Sequence, residues 1–135
     1  MVSRLAARLE RRAGAPGFTM IELLVVLAIV AMLLTIAMPR YFSSVDAAKE
    51  SALIQTLTAS RNAIDHFYSD KGRYPDSLQE LVDKRYLRSL PMDPILGNTS
   101  EWLLVAPQSD AKGLVQDIRS SAPGKNRDGK PFSDL

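Results

Sequence analysis

The stretch Gly17-Phe18-Thr19-Met20-Ile21-Glu22-Leu23-Leu24-Val25-Val26 (GFTMIELLVV) opens the most apolar run of the chain, which continues to Met38. Residues 18–38 contain neither Gly nor Pro and are rich in Leu, Val, Ile and Ala. As an α-helix this run extends about 30 Å, the thickness of a bilayer's hydrocarbon core. Yet Glu22 places a carboxylate inside it. An ionisable group in a membrane segment costs about 2.5–3.5 kcal/mol at the helix centre on insertion scales, and less near an end. Such a charge calls for a partner, and the run itself holds no Lys or Arg.

Three readings of the run compete. The segment 1–17 carries Arg4, Arg8, Arg11 and Arg12 against Glu10, and ends Gly14-Ala15-Pro16-Gly17. A basic segment before an apolar run also precedes secretory signal peptides, but their apolar core is only about 7–15 residues. Thr35-Ile36-Ala37 is a weak match to a signal cleavage site. A plain single-pass anchor fits the length, with the arginines keeping the N-terminus cytoplasmic, but it leaves Glu22 unexplained. Cleavage after Gly17 supplies what is missing. Phe18 then gains a free α-amine, which Glu22 of a neighbouring subunit can neutralise. Burying both charges is tolerable only when they are paired. Parallel, staggered helices can make that contact; a single chain cannot easily do so.

The rest of the chain reads as one small head. Of its formal charge of +2, the excess lies in residues 1–17, so a nucleic-acid partner is not expected. No cysteine is present, which excludes disulfides and thiolate chemistry. Pro39 should kink or interrupt the helix, which then resumes to about Ser69. Ile54, Leu57, Ile64 and Tyr68 recur at helical spacing, with Phe67 beside them, while Asp46, Glu50, Arg61 and Asp65 can remain wet. Gly72 and Pro75 break the helix in DKGRYP. DSLQELVDKRYL reads as a short helix, with Ser77 and Glu80 at capping-box spacing and Leu78, Leu81 and Val82 buried. EWLLVA and GLVQDI read as two antiparallel strands, with Trp102 in the small sheet. LPMDPILGN is loop, and the tail from Arg119 is irregular. The fold class expected is α+β: a long N-terminal helix, half membrane-spanning and half amphipathic, packed on a small antiparallel sheet.

GFTMIELLVVLAIVAMLL closely resembles the processing motif of type IV pilins and their relatives. The resemblance implies cutting by a prepilin peptidase between Gly17 and Phe18, N-methylation of Phe18, an assembly role for Glu22 and a helix kink at Pro39. GRYPDSLQELVDKRYLRSLPMDP is similar to the region after the long helix in the major pseudopilin of type II secretion systems, through Tyr74-Pro75, Leu78, Leu81, Tyr86-Leu87, Leu90-Pro91 and Asp93-Pro94. These residues read as builders of the head. Two departures stand out. DPILGNTSEW replaces the family's DPWGNPY, and the absence of cysteine precludes the disulfide that closes the C-terminal loop of many major pilins.

The implied organisation is a cleaved leader (1–17), a transmembrane and filament-core helix (18–38), an amphipathic continuation (39–70) and a periplasmic pilin-like head (71–135). The implied function is that of a structural subunit of a type II secretion pseudopilus, not an enzyme. Its partners would be identical subunits in a helical filament, minor pseudopilins, the prepilin peptidase, the inner-membrane assembly platform and, before assembly, membrane lipid. The alternatives are a type IV pilus subunit, a competence-type pseudopilin, and a membrane-anchored binding domain without a filament. The resembling pseudopilins bind Ca²⁺ in a C-terminal loop. Here Asp117, Asn126, Asp128 and Asp134 are the candidate side-chain ligands, although calcium requires about six to eight oxygens and Lys125, Arg127 and Lys130 lie among them. His66, the only histidine, has no nucleophile–base–orienter set around it.

Overall fold

A computed structural model describes residues 14–135; most of the expected leader lies outside the described residues. The chain divides into two units at Pro39–Arg40. Its elements are α1 (Met20–Lys71), α2 (Leu78–Asp83), β1 (Trp102–Val105), β2 (Asp117–Ser120) and a 3-10 turn (Phe132–Asp134). The architecture is α+β, with one two-stranded antiparallel sheet. Pro39 lies inside α1 rather than between two helices.

In the first unit α1 is apolar all round. Its large side chains from Met20 to Met38 are 45–85% exposed. A helix without a polar face is either buried in a core or surrounded by lipid, and no part of this unit's most apolar window is buried. This is the one helix among the described residues long and apolar enough to cross a membrane.

In the second unit, α1 buries Leu53, Leu57, Ser60, Ile64 and Phe67, in steps of four and three. The expected stripe is therefore displaced. Leu57, Ile64 and Phe67 face the core, but Ile54 and Tyr68 remain 46% and 41% exposed. Leu53 occupies the place expected of Ile54, because the head contacts α1 along a face rotated by one residue. Glu50 is buried, not wet, and Arg61 is half-buried. Leu81, Trp102, Val115 and Ile118 complete the core, with Tyr74, Tyr86, Leu87, Phe132 and Leu135 packed around it.

The helix stops where a left-handed residue is available. Gly72 has φ 66°, and its N–H donates to Tyr68 O at 2.8 Å, a glycine-terminated C-cap. The chain turns through Tyr74-Pro75 and docks there. Tyr74 N–H donates to Lys112 O at 2.8 Å, and the Leu114 and Val115 N–H groups donate to Pro75 O at 3.1 and 3.0 Å. These bonds explain why only the end of GLVQDI is strand: its first residues have committed their donors to the turn. β2 pairs with β1 in the register Trp102↔Ser120, Leu103↔Arg119, Leu104↔Ile118 and Val105↔Asp117. Gly113, with φ 110°, has no room for a side chain: an added Cβ would lie 2.2 Å from Tyr74 O.

The Asp93-Pro94 segment is structural. Asp93 is 1% exposed. Its Oδ1 accepts the N–H groups of Ile95 and Leu96 at 2.8 and 3.2 Å, and its Oδ2 accepts the Ser120 hydroxyl at 2.5 Å. A buried carboxylate satisfied on both oxygens ties the loop to β2. Trp102 is buried beside it, its indole N–H donating to Pro91 O at 2.8 Å.

Candidate processing and assembly site

Residues 14–19 precede α1 without regular structure, and residues 14–18 are all exposed. Phe18 is 85% exposed. The Gly17–Phe18 peptide bond therefore lies in accessible, non-helical backbone, the conformation a peptidase needs. No Cβ added to Gly17 would meet another atom within 4 Å.

Glu22 sits in the first turn of α1. The Thr19 hydroxyl accepts the Glu22 N–H at 3.2 Å, and the Glu22 carboxylate, through Oε2, accepts the Thr19 N–H at 3.4 Å. Thr19 O also accepts the Leu23 N–H at 3.1 Å. This is a capping box, in which two otherwise orphaned helix donors are satisfied reciprocally. The carboxylate also lies at the positive end of the helix dipole. Its own chain thus gives Glu22 a hydrogen-bond partner, which the reasoning from charge alone missed. The signal was in plain view, because Thr19-x-x-Glu22 has the same spacing as Ser77-x-x-Glu80. The capping geometry holds the acid at the mouth of the helix, next to the residue that becomes the N-terminus if cleavage follows Gly17.

At α2 the box is modified. Ser77 accepts the Glu80 N–H at 3.2 Å, but the Glu80 carboxylate reaches the Asp76 N–H at 2.8 Å. It also pairs with Arg73 at 2.5 Å. The Arg73 hydrogen bond, with the Asp76 N–H behind it, holds the Glu80 carboxyl below its ordinary range. The Tyr86 hydroxyl donates to Asp70 at 2.6 Å, and that bond raises the phenol's pKa.

The C-terminal loop does not gather the candidate calcium ligands. Asp117 Oδ1 accepts from Arg61 Nε and from the Ile118 N–H, both at 2.8 Å. Asn126 Oδ1 accepts the N–H groups of Asp128 and Lys130 at 3.0 and 2.8 Å. Asp128 and Asp134 are exposed. Among the described residues no group of three His, Cys, Asp or Glu side chains could hold a metal ion. Any site for a cation that needs about six to eight oxygens would have to draw on backbone carbonyls as well. His66 is exposed.

Accessible Gly17–Phe18, a capped Glu22 and an all-apolar helix leading to a small α+β head define a pilin-like, membrane-anchored subunit. The pattern of the prokaryotic N-terminal methylation motif matches residues 13–38. The type II secretion system core protein G of Klebsiella michiganensis is 30% identical over 135 aligned residues, covering 87% of this chain and 93% of that protein. That of Klebsiella pneumoniae is 31% identical, covering 87% and 88%. The fimbrial protein EcpC of Eikenella corrodens is 39% identical over 118 residues, covering 84% of this chain and 76% of that protein. No solved structure matches the chain. The chain belongs to the type IV pilin-like superfamily, with type II secretion core protein G among the relatives it matches over most of its length.

Proposed function

We propose that this chain is a structural subunit of a periplasmic type II secretion pseudopilus. The observation that carries the reading is the motif at the mouth of α1: an accessible Gly17–Phe18 bond, a Thr19–Glu22 capping box and an apolar helix whose most apolar window is unburied among the described residues. The relatives named core protein G support it. A prepilin peptidase cuts after Gly17 and Phe18 is N-methylated. The N-terminus faces the cytoplasm, the apolar helix crosses the inner membrane and the head is periplasmic. The Phe18 amine of one subunit meets Glu22 of its neighbour as the helix leaves lipid for the filament core. Ion pairing is worth most in that setting, because water is excluded and the capping N–H of Thr19 leaves the Glu22 charge itself unneutralised. Minor pseudopilins and the inner-membrane assembly platform are further partners. The named relatives are structural proteins rather than enzymes, and no catalytic role is proposed.

The fimbrial relative favours a second reading, a type IV pilus subunit. The chemistry at Phe18 and Glu22 is the same in both.

Two measurements test the proposal. N-terminal mass analysis of the membrane form should find methylated Phe18 at the start; an intact Met1, or a terminus near Met38, would refute it. Glu22→Ala should abolish filament assembly while the head stays folded, as read by Trp102 emission. Unchanged assembly would favour a simple anchor. Surface filaments, rather than secretion of folded cargo, would select the pilus reading.

A further inference from the structure

Residues 117–135 carry the candidate cation ligands, and Asp117 Oδ1 and Asn126 Oδ1 among them already accept hydrogen bonds. A positive group of the protein holds one of them, Asp117, together with two backbone carbonyls. Arg61, on α1, donates from Nε to Asp117 Oδ1 at 2.8 Å, and from Nη2 to Ile118 O at 3.1 Å and Leu135 O at 2.7 Å. One guanidinium thereby joins α1, β2 and residue 135. Asp117 Oδ2 faces a second guanidinium, Arg119, at 3.8 Å. Farther along the loop, buried Glu50 accepts the Arg127 N–H at 3.3 Å and faces Arg127 Nε at 3.5 Å. Between these points the loop closes on itself, with Asn126 N–H donating to Lys130 O at 2.7 Å and Gly129 N–H to Asn126 O at 3.0 Å.

We propose that Arg61 acts as the built-in cation of the C-terminal loop, so that the head keeps its loop ordered without a divalent metal. The geometry suits a guanidinium and no simpler charge. Its planar fork presents several donors in fixed directions, whereas an ammonium is a point charge on a flexible stem. A divalent ion drawing on Asp117 or Asn126 would compete with Arg61 and with two backbone N–H groups. It would also sit among Lys125, Arg127 and Lys130. The inference rests on the fold of the head alone and stands whether the filament is a pseudopilus or a pilus.

The test uses the full chain in detergent micelles. Thermal unfolding is followed by emission of Trp102, the only tryptophan, and loop order by the rate of tryptic cutting at Lys125 and Arg127. The wild-type midpoint should be the same in excess calcium chloride and in excess EDTA. Arg61→Lys should lower it by about 4–8 °C, the shift expected for about 1 kcal/mol in a domain of this size. Tryptic cutting of the loop should accelerate equally with and without calcium. Two results overturn the proposal. One is a wild-type midpoint raised by calcium, with the rise lost in Asp128→Asn/Asp134→Asn. The other is Arg61→Lys with wild-type midpoint and cutting rate. The wild-type calcium comparison decides the metal question even if an Arg61 variant does not fold.

Discussion

The two parts of α1 obey the same helical rules and solve opposite problems. Before Pro39 every face is apolar, and the large side chains stay 45% exposed or more. After Arg40 the apolar residues narrow to one stripe, and Leu53, Leu57, Ile64 and Phe67 are at most 1% exposed. The difference teaches where each part finds its solvent. The second has its own head to pack against, and its stability is internal to the chain. The first is unburied among the described residues, and a helix without a polar face needs apolar surroundings that its own unit does not show there.

Substitutions on the two sides should separate these roles. Phe67 is fully buried, packs edge-on against Tyr86 at 5.2 Å and lies under Arg73 at 5.1 Å. Phe67→Ala should destabilise the head by about 3–5 kcal/mol, measured by denaturant unfolding. Leu27→Ala, in the first part, should leave that unfolding curve unchanged. A matching loss from Leu27→Ala would break the comparison.

Gly113→Ala should come next, at about 1–3 kcal/mol from the positive φ, increased by the clash with Tyr74 O. Its signature is local. Amide exchange should accelerate at Tyr74, Leu114 and Val115, whose bonds hold the turn, and remain unaltered in residues 20–38.

Glu80→Gln should have the smallest effect, up to about 1 kcal/mol near neutral pH, because the pair with Arg73 is partly solvated. The sign of its pH dependence follows from the lowered carboxyl. That stability is complete above the ordinary glutamate range, near pH 4.3, and is lost as pH falls through the lower folded value. Wild type and Glu80→Gln should therefore converge in stability at acid pH. A difference that persists there would point to packing rather than charge.

Local grammar was readable throughout. The Gly72 stop, the Ser77 cap, the short α2 and strand β1 depend on neighbours within a few positions, and their spacing announces them. Thr19–Glu22 belongs to the same class and is legible by the same rule. The misreadings share another cause. Ile54 and Leu53 are adjacent and equally apolar, so periodicity cannot choose between them when the buried face is set by where the head docks. Glu50 and Arg61 look like solvated helix charges until Arg127 and Asp117 arrive from 77 and 56 residues away.

By itself the sequence determined the apolar helix, the accessible Gly17–Phe18 bond, the acid behind it and the α+β class, because each follows from composition or from contacts along a few turns of chain. Tertiary structure alone decided which face of α1 is core, why Gly113 must be glycine, how hydrogen bonds from Ile95, Leu96 and Ser120 satisfy buried Asp93, and that Arg61 holds Asp117. Those outcomes depend on groups distant in the chain meeting at hydrogen-bond distance, and such meetings have no period or spacing for a sequence to display.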